Sequence, residues 1–147
     1  MSKQYSEGED LQKKIVNGVN ILANNVASTL GPRGRNVVLH KKGSNPVITK
    51  DGVTVANFVD LDDPFENIGA QVVKQVASET NNVAGDGTTT STVLAQALLN
   101  NALKYIAAGI SPVELKRGMD KAADEVVRRV KAASRAVETE EDIKHIA

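Results

Sequence analysis

The stretch Ala84-Gly85-Asp86-Gly87-Thr88-Thr89-Thr90-Ser91-Thr92 sets one carboxylate between two glycines and follows it with five hydroxyls. A β-branched run of this kind is a poor way to fill a helix interior. It is a good way to open a helix toward phosphate. The free N–H groups of a helix N-terminus favour anions. Gly85 and Gly87 let backbone approach a phosphate closely, and Thr88, Thr89 and Thr90 add hydroxyl donors. Asp86 would repel phosphate unless a cation lay between them. Mg²⁺ bridges a carboxylate to phosphate oxygens, which suits Asp86 to the role of metal ligand.

The loop is not a Walker A sequence, because no G-x-x-x-x-G-K-[ST] is present and no lysine lies near Thr88. Two other segments could complete a phosphate site. Thr29-Leu30-Gly31-Pro32 offers a second backbone cradle. Lys50 could supply positive charge, and Asp51 beside it could position a water for attack on a γ-phosphate. Each segment read alone also has a plain structural reading. Asp86-Gly87 is then a turn and cap, Gly31-Pro32 a helix stop, and Lys50-Asp51-Gly52 a hairpin turn. Periodicity does not establish that the three loops converge.

The elements that must position these loops are mostly helical. Apolar residues at Leu11, Ile15, Val16, Val19, Leu22, Val26 and Leu30 mark an amphipathic helix from Asp10, its expected cap, to the breaker Gly31-Pro32-Arg33-Gly34. Short β-like runs follow. Asn36–His40 and Pro46–Lys50 flank a hairpin loop, with further extended segments at Val53-Thr54-Val55 and Phe58–Leu61. A second long helix is expected from about Pro64 to Asn81-Asn82, with its stripe at Phe65, Ile68, Val72, Val73 and Val76. A third runs from about Thr89 to Ala108 and is apolar around most of its girth, so it calls for burial on more than one side. Ser111-Pro112-Val113-Glu114 opens a fourth with a capping pattern. Thr139-Glu140-Glu141-Asp142 opens a fifth that the sequence ends within two turns, the pattern of a truncated unit.

Composition narrows the classes. The 147 residues suffice for one ordinary domain, and 41% of them are apolar with only 3% aromatic. The core must therefore be built from Val, Ile, Leu and Ala. Acidic and basic residues balance at 18 each, which is no footprint of a nucleic-acid binder. There is no cysteine, and only His40 and His145 could serve as imidazole ligands, neither with a spaced partner. That argues against a metalloenzyme. The polar start MSKQYSEGEDLQKK has no apolar h-region, and no run approaches a membrane span, so a cytoplasmic protein is expected.

Taken in order, Thr29–Val37, Thr49–Val53 and Gly85–Thr90 resemble the nucleotide-site signatures of the group I chaperonins, the GroEL type. Phe65–Gln71 and Leu115–Ala122 also read as sequence of that family, and the resemblance runs from about Leu11 to Ala147. It implies a mainly α fold, a helical bundle with a small β-hairpin. Residues 1–133 would be the N-terminal part of the ATP-binding equatorial domain, and 134–147 the start of an intermediate domain. It implies ATP and Mg²⁺ as cofactors. Thr29, Leu30, Gly31 and Pro32 would contact the phosphates, with Lys50 near them. Asp86 would hold Mg²⁺; Gly87, Thr88, Thr89 and Thr90 would wrap the phosphate chain; and Asp51, the catalytic residue, would position the hydrolytic water. The hairpin would resemble the family's stem-loop, which joins ring neighbours.

The resemblance also implies other chaperonin subunits as ring partners. Unfolded substrates and a co-chaperonin would be engaged in the family by an apical domain that this sequence lacks. It departs from the family pattern at Glu7, where an aromatic is usual, and in its more polar hairpin tip Lys41–Ser44. Without the rest of the equatorial domain, part of the Val93–Ile106 surface is expected to be bare, leaving a sticky, marginally stable chain. Three functions follow from the reading: an ATP-driven folding chaperone, an interaction module that binds subunits or nucleotide weakly without turnover, or a fragment with no function of its own.

Overall fold

The computed structural model describes residues 4–146. Met1–Lys3, where the polar N-terminal stretch begins, and Ala147, where the resemblance ends, lie outside the described residues. Six helices and a two-stranded antiparallel sheet are formed among them: α1 (Gly8–Ala27), β1 (Val37–Leu39), β2 (Val47–Thr49), α2 (Gly52–Phe58), α3 (Pro64–Ala84), α4 (Thr88–Ala107), α5 (Pro112–Ala133) and α6 (Glu140–Ile146). The fold class is the mainly helical one with a small hairpin that the sequence leads one to expect. The chain divides into two compact units, Met1–Leu103 and Lys104–Ala147.

In the first unit α1 supplies the central face, burying Gly18, Val19, Leu22, Ala23 and Val26. Against it α3 buries Gly69, Ala70, Val73 and Ala77. The stripe expected on α3 is borne out in part: Val73 is buried and Phe65 and Val76 are half-buried, while Ile68 and Val72 are exposed. The reason is how closely the two helices approach. A methyl group on Gly18 would run into the Glu66 carbonyl, and one on Gly69 into that of Ile15. Helices this close bury small side chains at the contact and turn large ones outward. Above the crossing, Lys14 Nζ donates to Asp63 Oδ2 at 2.8 Å and lies 5.4 Å from the Phe65 ring centroid. Asp63 Oδ1 meanwhile caps α3, accepting from the N–H groups of Phe65 at 2.8 Å and Glu66 at 3.2 Å.

The segment read as extended at Val53-Thr54-Val55 is helix α2, and Phe58–Leu61 forms no strand. Asp51 caps this helix, and Val55 and Ala56 join the core of Val19, Leu22, Val26, Ala70 and Val73. Capping and burial thus override the β propensity of two valines and a threonine. The hairpin forms as expected, with Val37 opposite Thr49, Val38 opposite Ile48 and Leu39 opposite Val47. Its inward face is anchored by Leu39. Helix α1 starts earlier than its expected cap, at Gly8 after Glu7 rather than after Asp10, and ends at Ala27 rather than Leu30.

Helix α4 buries only Thr88 and Thr92; no member of its broad apolar set is buried in this chain, and Leu94 is 57% exposed. Partly buried Leu99 packs against the core, and the hydrogen bonds of α4 to α1 join amide side chains. Gln96 Nε2 donates to Asn20 Oδ1 at 2.8 Å and to Asn24 Oδ1 at 3.0 Å, and Asn100 Nδ2 to Asn20 Oδ1 at 2.9 Å. This amide ladder fixes the helix whose first turn carries the threonines. In the second unit α5 starts at Pro112 as its signals predict, although Ser111 makes no side-chain cap bond. Helix α6 opens with a reciprocal box: Thr139 N–H donates to Asp142 Oδ2 at 3.0 Å, and Asp142 N–H to Thr139 Oγ1 at 3.1 Å.

Candidate functional site

The three sequence loops meet. Thr29, Leu30 and Gly31, then Lys50, Asp51 and Gly52, then Asp86, Gly87, Thr88, Thr89 and Thr90 line one cleft of about 260 Å³ in the first unit. Of the residues picked out in the sequence for phosphate contact, Pro32 and Gly85 are absent from the lining. Gly52 lines it without having been singled out. Its role is spatial: a methyl there would strike the Thr89 hydroxyl and crowd Val26 Cγ1 and Thr88 Oγ1 at 3.2 and 3.3 Å. Glycine lets the start of α2 sit this close to the start of α4 without displacing those side chains. The signal for it was the glycine after Asp51, which reads equally well as a turn residue.

Two helix N-termini therefore contribute to the cleft, with their partial positive charge. At α4 the Ser91 N–H donates to Gly87 O at 2.9 Å, which makes Gly87 the cap. The N–H groups of Thr88, Thr89 and Thr90 precede that first helical bond and are free to meet a ligand. Gly85 and Gly87 hold φ of 72° and 78°, the left-handed region that favours glycine, and so turn the chain from α3 into α4. Asp86 sits at the turn with Oδ1 accepting from Gly87 N–H at 2.6 Å.

The five hydroxyls do not act alike. Ser91 Oγ and Thr92 Oγ1 both donate back to Thr88 O, at 2.9 and 2.8 Å, and Thr92 is fully buried. Those two serve the helix. The three that line the cleft are Thr88, Thr89 and Thr90. At the Thr29 loop the backbone is also partly committed. Thr29 N–H and Oγ1 donate to Val26 O at 3.0 and 2.7 Å, and Leu30 N–H to Ala27 O at 3.0 Å. The donor left to face the cleft from this loop is the Gly31 N–H, at a residue with φ of 71°.

Asp51 Oδ2 accepts from Thr54 N–H at 2.8 Å and from the Thr54 hydroxyl at 2.5 Å. The Thr54 hydroxyl, then the N–H groups at the start of α2, hold its carboxyl below the usual carboxylate range. A carboxylate of such low basicity is suited to orient a water rather than to take its proton outright. Lys50 has no ion-pair partner among the described residues, so its charge is available to an anion. Among the described residues no three His, Asp or Glu side chains cluster as a self-sufficient metal site. Mg²⁺ held jointly with phosphate needs only one or two carboxylates, and Asp51 and Asp86 both line the cleft. The donor set thus fits a metal–phosphate group: backbone N–H groups, hydroxyls, one ammonium and two carboxylates.

Fold and site together define a mainly helical domain with one cleft lined by three separate loops. The family model of the TCP-1/cpn60 chaperonin family matches residues 22–147, and the chain belongs to that family. The match takes in all three loops, the hairpin and helices α2 to α6. The family is one of chaperones, ATP-dependent in general, whose subunits generally form oligomeric rings. No helix among the described residues is long and apolar enough to cross a membrane.

Proposed function

We propose that this chain carries the phosphate- and Mg²⁺-binding part of the ATP site of a group I chaperonin subunit, in a ring that drives protein folding in the cytoplasm. The observation that carries the reading is the convergence of three loops, far apart in sequence, on one cleft. Residues 1–133 then correspond to the N-terminal part of the equatorial domain and 134–147 to the start of the intermediate domain. Asp86 ligates Mg²⁺, which neutralises phosphate charge when bound. The N–H groups of Gly31, Thr88, Thr89 and Thr90 and the three threonine hydroxyls receive the phosphate oxygens. Lys50 offsets remaining charge, and Asp51 orients the attacking water.

The exposed apolar face of α4 at Leu94 and Leu98 favours a second reading beside this one: the chain binds the phosphates weakly and does not turn ATP over, acting as a module that docks on chaperonin subunits. Calorimetric titration with ATP, with and without Mg²⁺, on the wild-type chain and Asp86→Ala tests the binding. Saturable binding that needs Mg²⁺ and falls at least tenfold in the variant is expected. Binding indifferent to both would overturn the assignment. Phosphate release at saturating ATP tests the second reading, since turnover by this chain would exclude it.

A further inference from the structure

A second cleft, of about 610 Å³, lies in the first unit where the chain leaves β1, passes the end of α2 and meets the outer side of α3. We infer that it binds a small phosphate monoester carrying a planar ring, at a site separate from the threonine cleft. Its volume is within the range of about 300–1,000 Å³ that holds small organic ligands. Three lysines line it, Lys41, Lys42 and Lys74, together with His40, and none of the three lysines has an ion-pair partner among the described residues. Elsewhere in the chain Lys13, Lys14 and Lys116 are each paired with a carboxylate. The one carboxylate in the lining, Asp60, has its Oδ1 occupied by Asn67 Nδ2 at 2.9 Å. Three unpaired lysines around one cleft, against a single engaged carboxylate, favour a dianion over a monoanion.

The same wall presents a ring. Phe58 ends α2 and is 40% exposed, so part of its surface is left to water. A planar group stacked there would remove that surface from water while its phosphate reached the lysines. Charge balance across the chain, 18 against 18, argues for a confined anion rather than a nucleic-acid surface.

The probe is phenyl phosphate, titrated by calorimetry and by amide shifts into the full chain with EDTA present, so that metal-dependent binding near Asp86 is silent. Saturable binding is expected, with shifts at Phe58 and Lys74. Lys74→Gln and Lys42→Gln should each weaken it by about tenfold, the usual order for a charge-assisted hydrogen bond. Phe58→Leu should weaken phenyl phosphate and leave inorganic phosphate unchanged. Far-UV circular dichroism identifies any variant that has lost its fold. The inference is overturned by an absence of saturation at millimolar phenyl phosphate. Equal affinity in folded Lys74→Gln and Lys42→Gln overturns it as well, as does binding that disappears in Asp86→Ala.

Discussion

Replacing Gly18 by alanine should destabilise the chain, while the same replacement at Gly118 should stabilise it. Both glycines lie inside helices, where alanine is intrinsically better by about 0.8–1 kcal/mol. At Gly118 nothing lies within 4 Å of the position a methyl would take, so the propensity gain stands alone. At Gly18 the methyl would overlap the backbone carbonyl of Glu66, and a carbonyl in a helix cannot rotate away as a side chain can. The helices must part by more than an ångström. Gaps of that order forfeit roughly a quarter to a half of the dispersion energy at each contact. The contacts at risk belong to Val19, Leu22, Ala70 and Val73, all buried in the core. Overpacking a core usually costs about 1–3 kcal/mol, and a backbone obstacle belongs at the upper end. Set against the propensity gain, the net loss is about 2 kcal/mol. With a urea slope of about 1–3 kcal/mol/M, the midpoint for Gly18→Ala should fall by roughly 1 M. Urea titrations followed by far-UV circular dichroism give both numbers. A midpoint for Gly18→Ala at or above the wild-type value would refute the close crossing of α1 and α3.

Two further outcomes follow from the hydrogen bonds. The Lys14 ammonium, then the α3 N–H groups, hold the Asp63 carboxyl below its ordinary 3.8, while Asp63 raises Lys14 above its ordinary 10.5. A depressed carboxyl stabilises the fold above the unfolded value and loses that contribution as pH falls. The urea midpoints of wild type and Asp63→Asn should therefore differ at pH 7 and converge below about pH 4; a gap that stays constant down to pH 3 would contradict the pairing. At α4, Thr90→Val should weaken Mg²⁺-ATP binding several-fold, whereas Thr92→Val, whose hydroxyl only serves Thr88 O, should leave affinity unchanged. Equal losses in the two would mean that the hydroxyls do not divide as described.

Much of this was legible in the sequence, for local reasons. Pro64, Ser111-Pro112 and Thr139 mark helix starts whose chemistry is complete within four residues. The hairpin is likewise written in its two β-branched runs. Helix α2 was not legible, because Val53, Thr54 and Val55 prefer strands and their helicity depends on the Asp51 cap and on burial of Val55 and Ala56. The core face of α3 was legible only in part, because its large residues Ile68 and Val72 turn outward. Gly69, Ala70 and Ala77 face inward since α1 comes too close for anything larger. At the site the three loops stood out by residue type, but their meeting depends on packing across some sixty positions. The division of the five hydroxyls between helix and cleft is a matter of hydrogen-bond direction, which spacing does not encode.

That the three loops grip one metal–phosphate group is tested most directly with Mn²⁺ in place of Mg²⁺. A paramagnetic ion broadens amide resonances according to their distance from it, so Mn²⁺-ATP added to the ¹⁵N-labelled chain maps its own binding place. The amides of Gly31, Gly52, Gly87 and Thr88 to Thr90 should broaden together, and Asp86→Ala should abolish the pattern. Broadening confined to one loop, centred elsewhere, or absent at millimolar Mn²⁺-ATP would contradict a shared site.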